Sequence, residues 1–247
     1  MNKSFLFLSL FLAFVLFSCS IHTKKNPKTE IINTIIYPFE KKEATESNIE
    51  IVNSQELTPK LFESIADTSF VNLKDYSSDF FYDMKYATND NFLKIKVYDC
   101  SECYLRLRTI KALLKANERF MNKGYHIKLF DCYRPLDVQK KMWSIISNPD
   151  YVANPKKGSI HNRGGAVDIT LVDSNGKELD MGTPFDFFGI ESSHEFENLS
   201  EEVKNNRKLL KNGMIRANFR IFDSEWWHYN LKNAKKDNLS NFKWICD

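Results

Sequence analysis

Five side chains in this sequence have the types and spacings of a hydrolytic metal site: His161, Asp168, His228, Glu225 and Arg134. A catalytic zinc takes three protein ligands and leaves one position for water. His161 and His228 offer imidazoles and Asp168 a carboxylate. His161 and Asp168 lie within Ser159-Ile160-His161-Asn162-Arg163-Gly164-Gly165-Ala166-Val167-Asp168. In a single extended strand these two residues would stand too far apart, at about 3.3 Å per residue. The Gly164-Gly165 pair lets the backbone turn sharply between them, so both can reach one ion. Glu225 precedes His228 by three positions, which in a regular strand points them to opposite faces. A shared site therefore predicts a turn or distortion at Trp226-Trp227, with Glu225 as general base toward the reacting water and the tryptophans shielding it.

Each signal has a plainer alternative. A lone histidine is more often a hydrogen-bonded structural residue than a ligand, and His22, His126 and His194 are read that way. Arg134, ahead of Pro135, could simply pair with Asp131 or Asp137. Asp168 is harder to dismiss, because a buried carboxylate in a β-branched run needs a partner or a metal. The joint occurrence of all five residues carries the metal-site reading.

The elements that must position these groups follow from periodicity. Leu105, Leu107, Ile110, Leu113, Leu114, Phe120 and Met121 fall near a 3.6-residue period ahead of Gly124, predicting a helix packed on a core. His126 to Phe130 reads as a strand that delivers Asp131-Cys132-Tyr133-Arg134-Pro135 to its end. Pro135 suits the first turn of a following helix with Val138, Met142, Trp143 and Ile146. Ala166 to Val172 is a β-branched strand, followed by the turn signal Asp173-Ser174-Asn175-Gly176 and an expected hairpin. Residues 195–212 are helical in character, and Phe219 to Phe222 is a last strand leading into Glu225-Trp226-Trp227-His228. Helices and turn-linked strands without a βαβ rhythm predict an α+β fold with a mostly antiparallel sheet.

The chain's 247 residues suffice for one sizeable domain. Its 35 basic and 32 acidic residues give a net charge of +3 without long runs of one sign, which argues against a nucleic-acid partner. The 20 Phe and 10 Tyr, with only 8 Gly and 7 Pro, exclude a disordered or collagen-like chain. Lys3 followed by the apolar run Phe5 to Phe17 reads as a secretory signal. That run, about 13 residues, is shorter than the about 20 that span a hydrocarbon core. Leu16-Phe17-Ser18-Cys19 resembles a bacterial lipobox, so residues 1–18 are expected to be removed and Cys19 lipidated. This would leave an exported protein, anchored in a bacterial membrane by its N-terminal lipid, with its catalytic domain in the periplasm or at the cell surface. Residues 19–69 read as a tether or extended arm, and 70–247 as the catalytic domain. Cys100, Cys103, Cys132 and Cys246 form an even set that favours disulfides, with three pairings open. Cys100 and Cys103 also have zinc-site spacing, but no second such pair accompanies them.

Five ordered segments carry a resemblance: Asp83 to Phe92, Asp131-Cys132-Tyr133-Arg134-Pro135, Ser159-x-His161-x-x-Gly164-x-Ala166-x-Asp168, Met181 to Phe188, and Glu225-Trp226-Trp227-His228. In these the chain resembles the bacterial D-alanyl-D-alanine dipeptidases, zinc peptidases related to those that confer vancomycin resistance. The resemblance implies one zinc per chain on His161, Asp168 and His228, with Glu225 as base and Arg134 facing the oxyanion. It also implies that Ser159 and Asp186 bind the free amine of the dipeptide, that Tyr86 helps close the pocket, and that the fold is a central, mostly antiparallel sheet flanked by helices, akin to zinc D,D-carboxypeptidases and the hedgehog signalling domain. The expected activity is hydrolysis of D-Ala-D-Ala in cell-wall peptide turnover. Two rivals are a zinc D,D-carboxypeptidase acting on peptidoglycan stem peptides and a non-catalytic zinc-binding surface lipoprotein. The lipobox-like leader and the extra cysteines depart from the cytoplasmic resistance enzymes. The oligomeric state is left open.

Overall fold

The computed structural model of the protein describes residues 64–149 and 151–246, all within the compact unit Ile51–Asp247. The expected leader, Cys19 and the expected tether up to residue 63 lie outside the described residues. In chain order the elements are β1 (Phe70–Asn72), β2 (Phe81–Tyr82), β3 (Tyr104–Arg106), α1 (Leu107–Met121), β4 (Tyr125–Asp131), α2 (Leu136–Ile145), β5 (Ala166–Asp173), α3 (Glu201–Arg216), β6 (Phe219–Phe222) and β7 (Glu225–Leu231).

A five-stranded sheet runs in the order β2-β4-β5-β7-β6, and β1 pairs with β3 in a separate two-stranded ribbon. Within the large sheet only β2–β4 is parallel; the other three pairings are antiparallel. The expected α+β architecture with a mostly antiparallel sheet is therefore present. Strand β5 is buried along nearly its whole length, as its continuous apolar run requires of a central strand. Ile127 and Leu129 of β4, Val167, Ile169 and Leu171 of β5, and Tyr229 and Leu231 of β7 meet the inward faces of α1 and α3 in one core. Helix α1 contributes Leu107, Ile110, Leu113 and Phe120, the stripe that the 3.6-residue period predicts. Helix α3 is capped by Ser200, whose hydroxyl accepts the Val203 N–H at 3.2 Å. Helix α2 buries Met142 in a second cluster with Tyr86, Leu93, Val97, Tyr98 and Val152.

Several local expectations need adjustment. Pro135 takes the N-cap position just before α2, with φ −55°. After Asp173 the chain turns, but it returns only as an isolated bridge, Val172 to Glu178, and not as a full hairpin strand. The cysteines pair as Cys100–Cys246 and Cys103–Cys132, which removes Cys100 and Cys103 as metal ligands. Cys103 and Cys132 are completely buried, so the second crosslink ties the end of β4 to the start of β3 inside the core.

His126 places Nδ1 3.0 Å from the Asp79 carbonyl, a structural role as expected. His194 is largely buried and its Nε2 has no partner among the described residues. Burial, then the cations Lys211 and Arg207, push its pKa down to about 4. The native state thus keeps His194 neutral where the unfolded chain, titrating near 6.5, takes up a proton. Stability is present above about pH 6.5 and falls as pH drops toward 4, by about 2 kcal/mol after allowance for partial solvent screening. Urea midpoints at pH 7 and pH 4.5 should show this loss in the wild type, and a smaller one in His194→Phe.

Candidate active site

The site is built on a row of residues that crosses three adjacent strands. Asp131 at the end of β4 pairs in register with Asp168 of β5, and Asp168 pairs with His228 of β7. Directly cross-strand residues project side by side, so the sheet itself brings Asp168 and His228 together. His161 enters from the loop before β5. A single 3-10 turn, His161–Arg163, is closed by Gly164 in the left-handed region at φ 68°. A side chain on Gly164 would strike the Phe70 ring, and one on Gly165 would meet the Ala234 methyl at 2.3 Å. The sharp turn expected of this glycine pair is thus met by one residue's conformation and the other's close packing.

Glu225 and His228 also converge, for the reason anticipated. Ile221 faces Tyr229, but the next residue, Phe222, faces Glu225. Trp226, Trp227 and His228 therefore have no partner on β6, and the irregularity brings Glu225 Oε2 to 3.9 Å from His228 Nδ1. Only one tryptophan borders the site. Trp227 lines the cavity, whereas Trp226 sends its indole N–H to the Thr183 hydroxyl at 2.8 Å.

Three ligating atoms, one each from His161, Asp168 and His228, lie within 4.8 Å of one another. His161 Nε2 is 3.4 Å from Asp168 Oδ1 and 3.2 Å from His228 Nδ1, and His228 Nδ1 is 2.9 Å from Asp168 Oδ1. Donors at about 2.0 to 2.1 Å around a tetrahedral zinc stand about 3.3 Å apart, so the trio is already near that spacing. The outer hydrogen bonds fix the tautomers. His161 Nδ1–H donates to the Cys132 carbonyl at 2.6 Å, and His228 Nε2–H donates to Asn230 Oδ1 at 3.0 Å. Each imidazole thereby turns an unprotonated nitrogen toward the common point, and the donor chemistry fits a divalent cation.

Without a cation the cluster must neutralise itself by protonation. Burial opposes the charge on Asp168, yet the His161 and His228 imidazoles hold its carboxyl well below the usual range. Burial likewise disfavours the His228 imidazolium, but the Asp168 hydrogen bond and charge outweigh it and raise its pKa to about 9.

Arg134 is 7% exposed, so its guanidinium needs support from the protein. Nη2 donates to Asp131 Oδ2 at 2.6 Å and Nη1 to Gln139 Oε1 at 3.0 Å, while the Tyr86 ring lies 5.2 Å from its centre. Its Nε has no partner among the described residues, and the residue lines the cavity. The plainer pairing with Asp131 is therefore real, and it orients the arginine without exhausting its donors. Tyr86 donates its hydroxyl to the Asp186 carboxylate, at 3.0 Å to Oδ2. Asp186 sits at φ 60°, a strained conformation for a non-glycine residue of the kind found at functional sites. Burial and the nearby Asp168 push its carboxyl well up. Burial also raises Glu225, which brings a carboxylate nearer the range of an effective general base. Ser159 borders the same cavity, and its hydroxyl accepts the His161 N–H at 3.0 Å.

All eight residues expected at the site, His161, Asp168, His228, Glu225, Arg134, Ser159, Asp186 and Tyr86, line one cavity of about 640 Å³. Sequence reasoning missed Asn230 and Gln139 and gave Asp131 only a bland role. Asn230 had a usable signal, since residues two apart on a strand share a face. Replacing Asn230 by Ala should weaken zinc affinity about 10- to 100-fold by freeing the His228 ring, as measured by competition with a chromophoric chelator.

A family model described as D-ala-D-ala dipeptidase, of the peptidase M15 group, matches residues 66–245. A D-alanyl-D-alanine dipeptidase from Escherichia coli strain K12 is 35% identical over 179 residues, covering 72% of this chain and 93% of that protein. One from Enterococcus faecium is 32% identical over 178 residues, covering 64% and 88%. Among solved structures, a Zn(II) complex of the vancomycin-resistance D,D-pentapeptidase VanY aligns with a TM-score of 0.35 at 17% identity, covering 54% of this chain and 78% of that one. Because the family model spans most of the chain and the Escherichia coli relative is matched nearly end to end, this protein belongs to the D-Ala-D-Ala dipeptidase family of M15 peptidases.

Proposed function

We propose that this protein is a zinc-dependent dipeptidase that hydrolyses D-Ala-D-Ala to two D-alanines in cell-wall peptide turnover. The observation that carries the reading is the convergence of three ligating side chains, the part-buried Glu225 carboxylate and the buried Arg134 guanidinium on one cavity. His161, Asp168 and His228 would hold one zinc. Bound there, zinc supplies a Lewis acid that polarises the scissile carbonyl and acidifies water.

The remaining chemistry belongs to the chain. Glu225 takes a proton from the attacking water as the new C–O bond forms, and returns it to the departing amine nitrogen as the C–N bond breaks. Arg134, held by Asp131 and Gln139, presents a preorganised cationic donor to the carbonyl oxygen as negative charge develops there. Asp186, gripped by Tyr86, receives the substrate ammonium, with the Ser159 hydroxyl as a second acceptor. A substrate ammonium favours the ionised form of Asp186, whose carboxyl is otherwise pushed well up, whereas an acylated amine offers it no counter-charge, which selects free dipeptides.

The assay is a dipeptide panel of both chiralities on zinc-loaded and chelated protein. Hydrolysis of D-Ala-D-Ala that disappears on chelation and returns with zinc is expected; no hydrolysis of any D,D-dipeptide by metal-replete protein would overturn the reading. The cavity of about 640 Å³ is of a size that suits ligands larger than a dipeptide. It favours a D,D-carboxypeptidase as the second reading, and a pentapeptide ending in D-Ala-D-Ala, assayed alongside, separates the two. Export with lipidation at Cys19 completes the proposal. Disulfides fit an oxidising compartment, and mass spectrometry of the mature N-terminus tests for the lipid.

A further inference from the structure

A free dipeptide carries two opposite charges, and the groups described so far answer only one of them. The lining of the cavity contains four cationic side chains: Arg134, Arg163, Lys157 and Lys235. Arg134 is occupied by Asp131 and Gln139. Arg163 is turned into the protein, donating to the carbonyls of Asp237 and Lys157. These two bonds also join the segments that carry the lysines, so Lys157 and Lys235 belong to one wall. Asp186, which receives the ammonium, is joined to Tyr86 by a hydrogen bond, and Tyr86 packs edge-on against Phe185. Both lysines are exposed, and neither makes an ion pair among the described residues.

Taking the dipeptidase reading as its basis, we infer that Lys157 and Lys235 form the subsite for the carboxylate of the substrate's second residue. Asp168, Asp186 and Glu225 line the cavity together with Arg134, which Asp131 and Gln139 already hold, so a second anionic group is received best where other cations lie near its landing point. The two lysines are the cations available for that role. They also face solvent, where they draw an anionic group toward the cavity over roughly a Debye length. As mobile point charges they attract a carboxylate without fixing its geometry, so their effect belongs to substrate capture and not to the chemical step.

The test compares D-Ala-D-Ala with D-alanyl-D-alaninamide on zinc-loaded wild type, on Lys157→Gln/Lys235→Gln, and on Lys123→Gln as a charge control far from the cavity. For the double variant KM for the acid should rise about 5- to 10-fold with kcat within about twofold, and KM for the amide, which carries only the ammonium, should stay unchanged or fall. The decline of kcat/KM with added salt, present for the acid in wild type and in Lys123→Gln, should flatten in the double variant. An unchanged KM for the acid, or equal effects on acid and amide, would overturn the subsite while leaving the dipeptidase intact. Failure of the wild type to cleave either compound would instead remove the reading on which the subsite rests, and the subsite with it.

Discussion

Glu225→Ala is expected to lower kcat/KM for D-Ala-D-Ala by about 10³- to 10⁴-fold while zinc content stays at the wild-type level. Glu225 is a carboxylate beside His228, 3.9 Å from its Nδ1, and is not counted among the ligating trio. Its loss removes the proton acceptor and the proton donor of the reaction together, which places the effect at the upper end of what one general acid–base group contributes. On the rate scale this corresponds to about 4 to 5.5 kcal/mol of lost transition-state stabilisation. Stability should move the other way or not at all, because burial raises this carboxyl's pKa and a truncated side chain no longer bears that desolvation. Parallel measurements of kcat/KM, bound zinc by atomic emission, and thermal midpoint separate the outcomes. A variant that keeps its turnover excludes Glu225 from the mechanism, and one that loses zinc makes it part of the metal centre.

Asp131→Ala should produce the largest loss of stability, about 3 to 5 kcal/mol. Asp131 has no exposed surface and accepts from Arg134 at 2.6 Å, from the Tyr98 hydroxyl at 2.7 Å and from the Cys132 N–H at 2.9 Å. Truncation leaves a buried guanidinium without its counter-charge, the situation in which breaking an ion pair costs most. The same change frees Arg134 from the orientation it needs, so kcat/KM should fall by at least about 10²-fold in whatever fraction folds. Asp131→Asn keeps the shape and one acceptor, and should give a smaller stability loss with a clear kinetic defect. Urea unfolding of both variants in the presence of chelator checks the first effect without a contribution from metal, and steady-state kinetics with zinc checks the second. Equal stability of all three proteins would show that Arg134 is supported by Gln139 and the Tyr86 ring alone.

The parts of this site that could be read from the sequence are those whose chemistry is local. His161 and Asp168 share one short segment, Glu225 and His228 another, and the need for them to meet already demanded a tight turn and an irregular strand. Both are found, at Gly164 and in the pairing of Phe222 with Glu225. What escaped depends on tertiary placement. Gln139 meets Arg134 only because α2 leaves Pro135 at a particular angle, which no side-chain pattern encodes. The ribbon of β1 and β3 consists of three-residue strands, too short to display a period of two. The pairing of Cys100 with Cys246 spans 146 residues, and spacing alone could not prefer it. The polar row Asp131, Asp168, His228 was hidden for a similar reason: it exists only once β4, β5 and β7 adopt their mutual register.

That row has a thermodynamic consequence. A slip of one residue between β5 and β7 would send His228 to the opposite face of the sheet from Asp168, so cation occupancy and correct strand alignment are linked equilibria. Any ion that grips the aligned form and not the slipped one favours alignment in proportion to the logarithm of its concentration over its dissociation constant. Amide protons along β5 and β7 should accordingly exchange with deuterium more slowly as free zinc rises, which makes the central strands a solution reporter of occupancy independent of any substrate.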